Sequence, residues 1–226
     1  ADFMRKFGGH LGNPETEAFV LLAAVLFIAV ASFRKLLIAI FSDEEQQGYR
    51  IKKYSDCVSK TLNIDSILRE TVKTVRTEVN ANQLYICLLQ DGKYVPVCSA
   101  MPLKPADFTI AADHPCVRYF ESGEGGSNHI VLREFEANPL YKSVWGEERE
   151  LFTAHGISCI CALKDGNSVV GLLLLAEKEK GMGYTYADFS FLNTISSIAS
   201  IAIKNAALYK QVAEREHLFS SMTAFI

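Results

Sequence analysis

The sequence lacks an excess of basic residues, which is the feature that nucleic-acid binding needs most. Its 23 Lys and Arg are outnumbered by 26 Asp and Glu, and the net charge is −3 at pH 7. This balance argues against nucleic acid as a partner, because such a site concentrates positive charge on one face. The chain also lacks a nucleophile–base–orienter set and paired carboxylates at diagnostic spacing, so the sequence predicts no enzymatic activity for this segment.

Cysteine pairs at metal-binding spacing are missing as well. None of the six cysteines forms a CxxC pair, and Cys159-x-Cys161 with a distant histidine is not a recognised zinc spacing. We therefore expect no metal site. Most of the cysteines lie in apolar, strand-like runs, which is typical of reduced, buried thiols in a cytosolic domain.

The most informative stretch of the sequence runs from residue 156 to 209. Two apolar runs, 157–163 and 169–176, flank a short polar turn that contains a glycine, and this predicts a β-hairpin. The second run is apolar on both faces and therefore needs cover on both sides. In the first run, strict alternation predicts that four residues share one face: Ile157, Cys159, Cys161 and Leu163.

A helix is predicted directly after this hairpin. Thr185 and Asp188 have the spacing of a capping box, with Asp in place of the usual Glu. Apolar residues then recur at helical spacing as far as Tyr209 and form one stripe, which suits a helix that covers the sheet.

A similar combination of helix and hairpin is predicted earlier in the chain. The helix is capped by Asn63 or Asp65 and presents an apolar face. Strands at 83–89 and 94–100 follow, joined by an Asp-Gly turn. Pro96 in the second of these strands predicts a bulge or an edge position.

Two segments of the sequence resemble a known family. "GISCICALKDGNSVVGLLLLAEKEKG" followed by "YTYADFSFLNTISSIASIAIKNAALYKQ" resembles the C-terminal half of a GAF domain. The resemblance covers roughly residues 64–209, and the predicted GAF domain is 62–209. It implies an α+β fold, with helices on one face of an antiparallel sheet and a pocket covered by loops and helices on the other. It also implies that the element close to Gly171, a glycine inside a strand, is one of the flanking helices at 187–209 or 62–79.

The resemblance further implies where a ligand pocket would lie. Residues 101–155 are expected to close over the open face of the sheet. A cysteine in this region of a GAF domain can anchor a bilin and a histidine can ligate heme, but the residues expected around such groups are not evident, so no cofactor is assigned. The candidate pocket residues are Cys98, His114, Cys116, Tyr119, Tyr141, Trp145, Cys159 and Cys161.

The N-terminal region contains an unbroken apolar run at residues 18–33, which ends at Arg34 and Lys35. It is short for a transmembrane helix, but the two basic side chains can extend to the interface while the apolar patch at 36–41 lies there. A signal peptide and a buried helix of a soluble protein are the alternatives. We favour an N-terminal loop at 1–17, leading into a helix that begins near its end, and a transmembrane and juxtamembrane helix at 18–41.

The orientation of that helix follows from its flanks. Basic residues after the run outnumber those before it, so the C-terminal side is predicted to be cytoplasmic. This places the protein in the inner (cytoplasmic) membrane with the GAF domain in the cytoplasm. Residues 42–61 are expected to form a connector helix, which either pairs with its copy in a dimer or is a solvated linker, and residues 210–226 are expected to begin an output linker helix.

The resulting hypothesis is a non-catalytic sensory or dimerising GAF module in a membrane-bound signalling protein. It would form a homodimer through its flanking helices, bind a small-molecule ligand if its pocket is open, and relay the signal to an output domain. The alternatives are a free-standing redox enzyme of the methionine-sulfoxide reductase type and a structural GAF domain with no ligand. The redox enzyme would need thiolates that reach each other and the solvent.

Overall fold

The computed structural model describes residues 14–100, 108–123, 127–137 and 148–223. The chain divides into two compact units, Ala1–Arg50 and Ile51–Ile226. The described part of the first unit is helical and belongs to α1 (Pro14–Val58). Every side chain from residue 21 to 35 is exposed, although this stretch contains most of the predicted apolar run.

The second unit contains a six-stranded antiparallel sheet in the order β3-β2-β1-β6-β5-β4. Its strands are β1 (Leu84–Gln90), β2 (Lys93–Ser99), β3 (Ile110–Ala111), β4 (His129–Val131), β5 (Ile157–Asp165) and β6 (Ser168–Ala176). The helices after α1 are α2 (Ile64–Val79), α3 (Pro115–Ser122), α4 (Leu132–Ala137), α5 (Glu148–Ala154) and α6 (Tyr186–Thr223), with a short 3-10 turn at Glu179–Gly181.

Both predicted hairpins are present. Asp91 and Gly92 have φ values of 50° and 78°, which is the positive-φ pair of a type I′ turn between β1 and β2. Gly166 supplies a φ of 60° in the turn between β5 and β6. Pro96 lies beside a shift in the β1–β2 register, and β3 pairs with β2 only at Lys93 and Tyr94, so the proline is both next to a bulge and unpaired on its outer side.

The two long helices α2 and α6 cover one face of the sheet. Asn63 caps α2 by accepting a hydrogen bond from the Ser66 amide at 2.9 Å. At the start of α6, Asp188 accepts from the Thr185 amide at 2.6 Å and the Asp188 amide donates to the Thr185 hydroxyl, as the capping-box pattern predicts. The buried Lys178 ammonium donates to the same Asp188 carboxylate at 2.9 Å, which fixes the beginning of α6 against the sheet.

The last part of α1 packs in the core of the second unit. This core therefore begins before residue 62, the predicted first residue of the domain. Tyr54 and Val58 are buried in the cluster that α2 and α6 share with the sheet. The Tyr54 hydroxyl is 2.7 Å from the Thr71 hydroxyl, and burial raises the pKa of this tyrosine to about 12. The apolar residues of the connector therefore face their own domain, and the periodicity that suggested pairing with a second copy reflects intramolecular packing.

Two predictions about strand faces need correction. Ile157 does not share a face with Cys159, because the β5–β6 register shifts between these two residues and the bulge reverses the direction of the Ile157 side chain. Gly171 does mark a close approach, but the approaching element is not a helix. A Cβ atom there would lie 2.7 Å from the Cys87 carbonyl oxygen of β1 and 3.0 Å from side-chain atoms of Leu163 and Leu88.

The structure also bears on membrane-spanning helices. Among the described residues, one stretch, Tyr186–Glu216 of α6, is long and apolar enough to cross a membrane, and half of its most apolar part is buried within the domain. The predicted transmembrane segment at 18–41 stays a prediction, because the side chains of residues 19–20 and 36–41 lie outside the described ones.

Candidate functional site

The candidate site is the sheet face opposite α2 and α6. Helices α3, α4 and α5 border it, and side chains from β1, β5 and β6 form its floor. The described residues on this face make one buried apolar cluster. Its aromatic members are Tyr85, Tyr94, Phe108, Phe120, Phe135 and Phe152, and Ile160, Leu172 and Leu174 pack with them. The described part of this face is therefore densely filled with side chains.

His114 and Cys116 form a buried thiol–imidazole pair at the start of α3. The His114 ring caps the helix, since its Nδ1 accepts a hydrogen bond from the Cys116 amide at 3.2 Å. The same Nδ1 lies 2.9 Å from the Cys116 Sγ, and the thiol is fully buried. The Phe152 ring of α5 packs edge-on against the imidazole, with ring centroids 5.5 Å apart. This arrangement gives the imidazole a structural role and shields the thiol from solvent.

Tyr94 fixes the floor of the site beneath α3. Its hydroxyl donates to the Val169 carbonyl at 2.8 Å, which joins β2 to β6 across the strand between them. Burial raises the pKa of Tyr94 to about 12, and the neighbouring Glu121 and Cys116 act in the same direction. The phenol therefore stays neutral and holds the sheet in place.

Tyr119 lies at the rim of a small hollow. Its ring packs edge-on against Phe120 and Phe135, with centroids 5.7 and 5.4 Å apart. With Ser127, His129 and neighbouring residues of β4 and α4, it lines a cavity of about 240 Å³. Of the predicted pocket aromatics, Tyr119 is thus placed next to open space, whereas Tyr141 and Trp145 lie outside the described residues.

The three remaining candidate cysteines lie on the opposite face. Cys159 and Cys161 are fully buried between β5 and the long helices, and Cys98 is half-buried against the same cluster. The Cys159 pKa is raised because the thiol shares a hydrogen bond with Cys161 and is removed from water, and burial also raises the pKa of Cys98. The structure therefore brings together His114, Cys116 and Tyr119 but separates them from these cysteines by the thickness of the sheet.

The buried thiols lead to a labelling prediction. We expect Cys87, Cys159 and Cys161 to react slowly with a maleimide in the folded protein, because all three are fully buried and burial raises the Cys87 pKa to about 12. The exposed Cys57 is the internal control and should be labelled first. Mass spectrometry of timed samples measures this order, and labelling of Cys159 or Cys161 as fast as Cys57 would support a redox-active pair.

His129 is a structurally connected residue that the sequence pattern did not single out. Its imidazole stacks face to face on the Phe189 ring of α6, with centroids 3.9 Å apart and an interplanar angle of 6°. The Nδ1 atom lies 2.8 Å from the Ser127 hydroxyl. Burial lowers the His129 pKa, while a hydrogen bond with Asn193 and the charge of Glu134 oppose the shift. His129 thus links the edge strand beside the small cavity to the first half of α6.

A larger hollow lies on the side of the domain where α2 begins. It has a volume of about 560 Å³ and separates the first turn of α2 from the outer half of α6. Leu62, Leu88, Val97 and Tyr209 contribute apolar surface, and Asp65 and Lys210 contribute charge. Within the described parts of the chain, no three His, Cys, Asp or Glu side chains converge to hold a metal ion.

Comparison with known proteins identifies the fold. No family model matches the sequence. The GAF domain of a phosphoenolpyruvate-protein phosphotransferase from Coxiella burnetii superposes with a TM-score of 0.55 over 73% of this chain and 96% of that one, at 12% identity. The corresponding Acinetobacter GAF domain gives 0.53, covering 72% and 95%, at 16% identity. Residues 122–287 of a methyl-accepting chemotaxis protein give 0.54, covering 70% and 98%, at 14% identity.

The second unit therefore has the GAF fold, and the predicted resemblance is confirmed at the level of the fold. A weaker sequence match connects the chain to one curated protein, diguanylate cyclase A of Treponema denticola. The two are 25% identical over 108 residues, which is 47% of this chain. The matched segment covers 27% of that cyclase, so the cyclase contains much that this chain does not match.

Proposed function

We propose that the chain is the non-catalytic sensory and dimerising input of a membrane-bound signalling protein, with its output domain beyond α6. The observation that carries the proposal is the continuity of α6. Its first half contributes Leu192, Ile195 and Ala199 to the core, all fully buried, and the same helix continues to residue 223. Because a helix is stiff over this length, a shift of its buried half is transmitted to its outer end.

The contact between His129 and Phe189 supplies a path from the site to that helix. β4, the small cavity and α4 border the ligand-facing side, whereas Phe189 belongs to the first turns of α6. A ligand that moves β4 or α4 would change this stack and the position of α6. In this proposal the output is a diguanylate cyclase or a kinase, and the curated cyclase relative favours the former.

Membrane anchoring is part of the same proposal. The described apolar side chains at 21–33 are strongly exposed, as Phe27 at 75% illustrates, and a hydrocarbon environment removes this surface from water. Arg34 and Lys35 follow the run, so the positive-inside tendency directs the GAF domain to the cytoplasmic side of the inner membrane. Reduced thiols in the domain suit that compartment.

The redox-enzyme alternative is less well supported. A sulfoxide reductase needs thiolates that reach a substrate, whereas Cys159 and Cys161 are fully buried behind α6. Assaying the purified chain for methionine-sulfoxide reduction with a dithiol reductant separates the two functions. Turnover that is lost in Cys161→Ser would favour the enzyme.

A ligand screen by thermal shift, followed by hydrogen exchange, tests the sensory function. We expect a compound that raises the melting temperature to slow amide exchange in β4 and in the first half of α6, because the His129 stack joins these elements. Phe189→Ala removes the α6 side of the stack without altering the cavity lining, so it should weaken the effect on α6 while the compound still binds. A bound compound that protects α3 and α5 but leaves α6 unchanged would contradict the proposed path.

A further inference from the structure

An unpartnered seam runs along the outer side of α6. Its members are Ile198, Ile201, Asn205, Leu208 and Val212, which follow one another at alternating intervals of three and four residues. Ile201, Leu208 and Val212 are 61%, 49% and 54% exposed. At 100° per residue, the seam lies roughly 130° around the helix from the face that packs on the sheet. Ile198 is partly buried against the core of its own domain, whereas the four exposed members of the seam contribute nothing to that core.

The spacing is that of a coiled-coil heptad. Ile198, Asn205 and Val212 occupy a positions, and Ile201 and Leu208 occupy d positions. The apolar seam ends at Val212, because the next d position is Arg215. It is about 21 Å long at 1.5 Å per residue.

We infer that this seam docks on the same seam of a second copy, in a parallel and in-register pair with Asn205 facing Asn205. In a parallel pair, a positions meet a positions, so the two amides can each donate and accept a hydrogen bond. In an antiparallel pair, Asn205 would face a d-position leucine or isoleucine, and the buried amide would be unsatisfied. The inference rests on the proposed dimeric function and specifies its interface.

The flanking charges agree with a parallel pair. Residues at g positions then meet e positions of the next heptad in the partner. Lys204 would face Tyr209, and Gln211 would face Glu216, so no like charges meet. Lys204 is also ion-paired with Asp165 of its own chain. A heterologous partner would have to present its own amide opposite Asn205, whereas a second copy does so by symmetry.

The length of exposed helix also favours a partner. Ala206 is the last fully buried residue of α6, and the helix continues to residue 223 with every described side chain after Ala206 exposed. An isolated helix of this length is marginal in water. Pairing along the seam would stabilise the outer part of α6 and would place both C-terminal ends side by side.

Cross-linking of the full chain in detergent micelles tests the register. In a Cys57→Ser background, which removes the exposed thiol, Leu208→Cys should cross-link to its copy several times faster than Ala207→Cys under mild oxidation. Ala207 is the matched control, because it is exposed but points away from the seam. Equal rates, or faster cross-linking of Ala207→Cys, would overturn the proposed seam.

Substitution of Asn205 tests the inference without cross-linking. Asn205→Lys should raise the dimer Kd by at least about tenfold because two ammonium groups would meet, whereas Asn205→Ile should lower it and relax the register. Ala207→Lys should leave the Kd unchanged. A dimer whose Kd responds to none of these changes would refute the seam but keep the dimeric function. An unaltered chain that never dimerises would refute both.

Discussion

Replacing Gly171 with valine is expected to lower the free energy of unfolding by about 3 kcal/mol, at the upper end of the usual cost of overpacking. A Cβ atom at this position would lie 2.7 Å from the Cys87 carbonyl oxygen. The obstacle is backbone of a paired strand, so it cannot move aside as a flexible side chain could. Side-chain atoms of Leu163 and Leu88 lie 3.0 Å from the same point and add two further close contacts.

Chemical denaturation of the two glycine variants measures this effect. Gly183→Val is the matched control, because a Cβ atom there would meet nothing within 4 Å, and it should change the stability by less than about 0.5 kcal/mol. Equal stability of Gly171→Val and Gly183→Val would show that β1 and β6 are not packed as closely as described.

Removal of residues 1–41 is expected to change the protein from detergent-dependent to freely soluble. The exposed apolar side chains at 21–33 would associate in water, and the chain that begins at Ser42 no longer contains them. Size-exclusion chromatography of both chains, with and without detergent, measures the difference. A full chain that is monodisperse in plain buffer would contradict membrane anchoring and would favour the alternative in which the run is a buried helix.

The hairpins and caps of the domain could be predicted from the sequence because their causes are local. Asp91 and Gly92 require a turn with positive φ, and Thr185 with Asp188 defines the start of α6 within four residues. Side-chain direction in β5 could not be predicted in the same way. One extra residue between Ile157 and Cys159 reverses the alternation, and such a bulge is fixed by pairing with β6.

The neighbour of Gly171 and the packing of the connector could not be predicted either, because both depend on contacts between residues far apart in the sequence. The glycine predicts a close neighbour, but only the register of β1 against β6 shows that the neighbour is the Cys87 carbonyl. Tyr54 and Val58 have a spacing that fits pairing with a second copy. The Tyr54–Thr71 hydrogen bond directs them instead to α2 of their own domain.

Only part of the candidate site could be predicted, because some of its contacts are local in the sequence and others join distant residues. His114 and Cys116 are two residues apart at a helix start, so their proximity follows from local geometry. Cys159 and Cys161 were grouped with them, but the sheet separates the two sets. The stack of His129 on Phe189 joins residues 60 positions apart on two elements, and no periodic pattern indicates it.

We propose that this GAF-fold domain works as a dimer whose paired helices connect a membrane anchor to an output. Sedimentation equilibrium of the chain that begins at Ser42, at micromolar concentration, tests it most directly. We predict a weight-average mass of a dimer that falls toward the monomer on dilution, and a lower mass for Asn205→Lys at the same concentration. A strictly monomeric chain, with Ile201 and Leu208 open to solvent, would contradict the account.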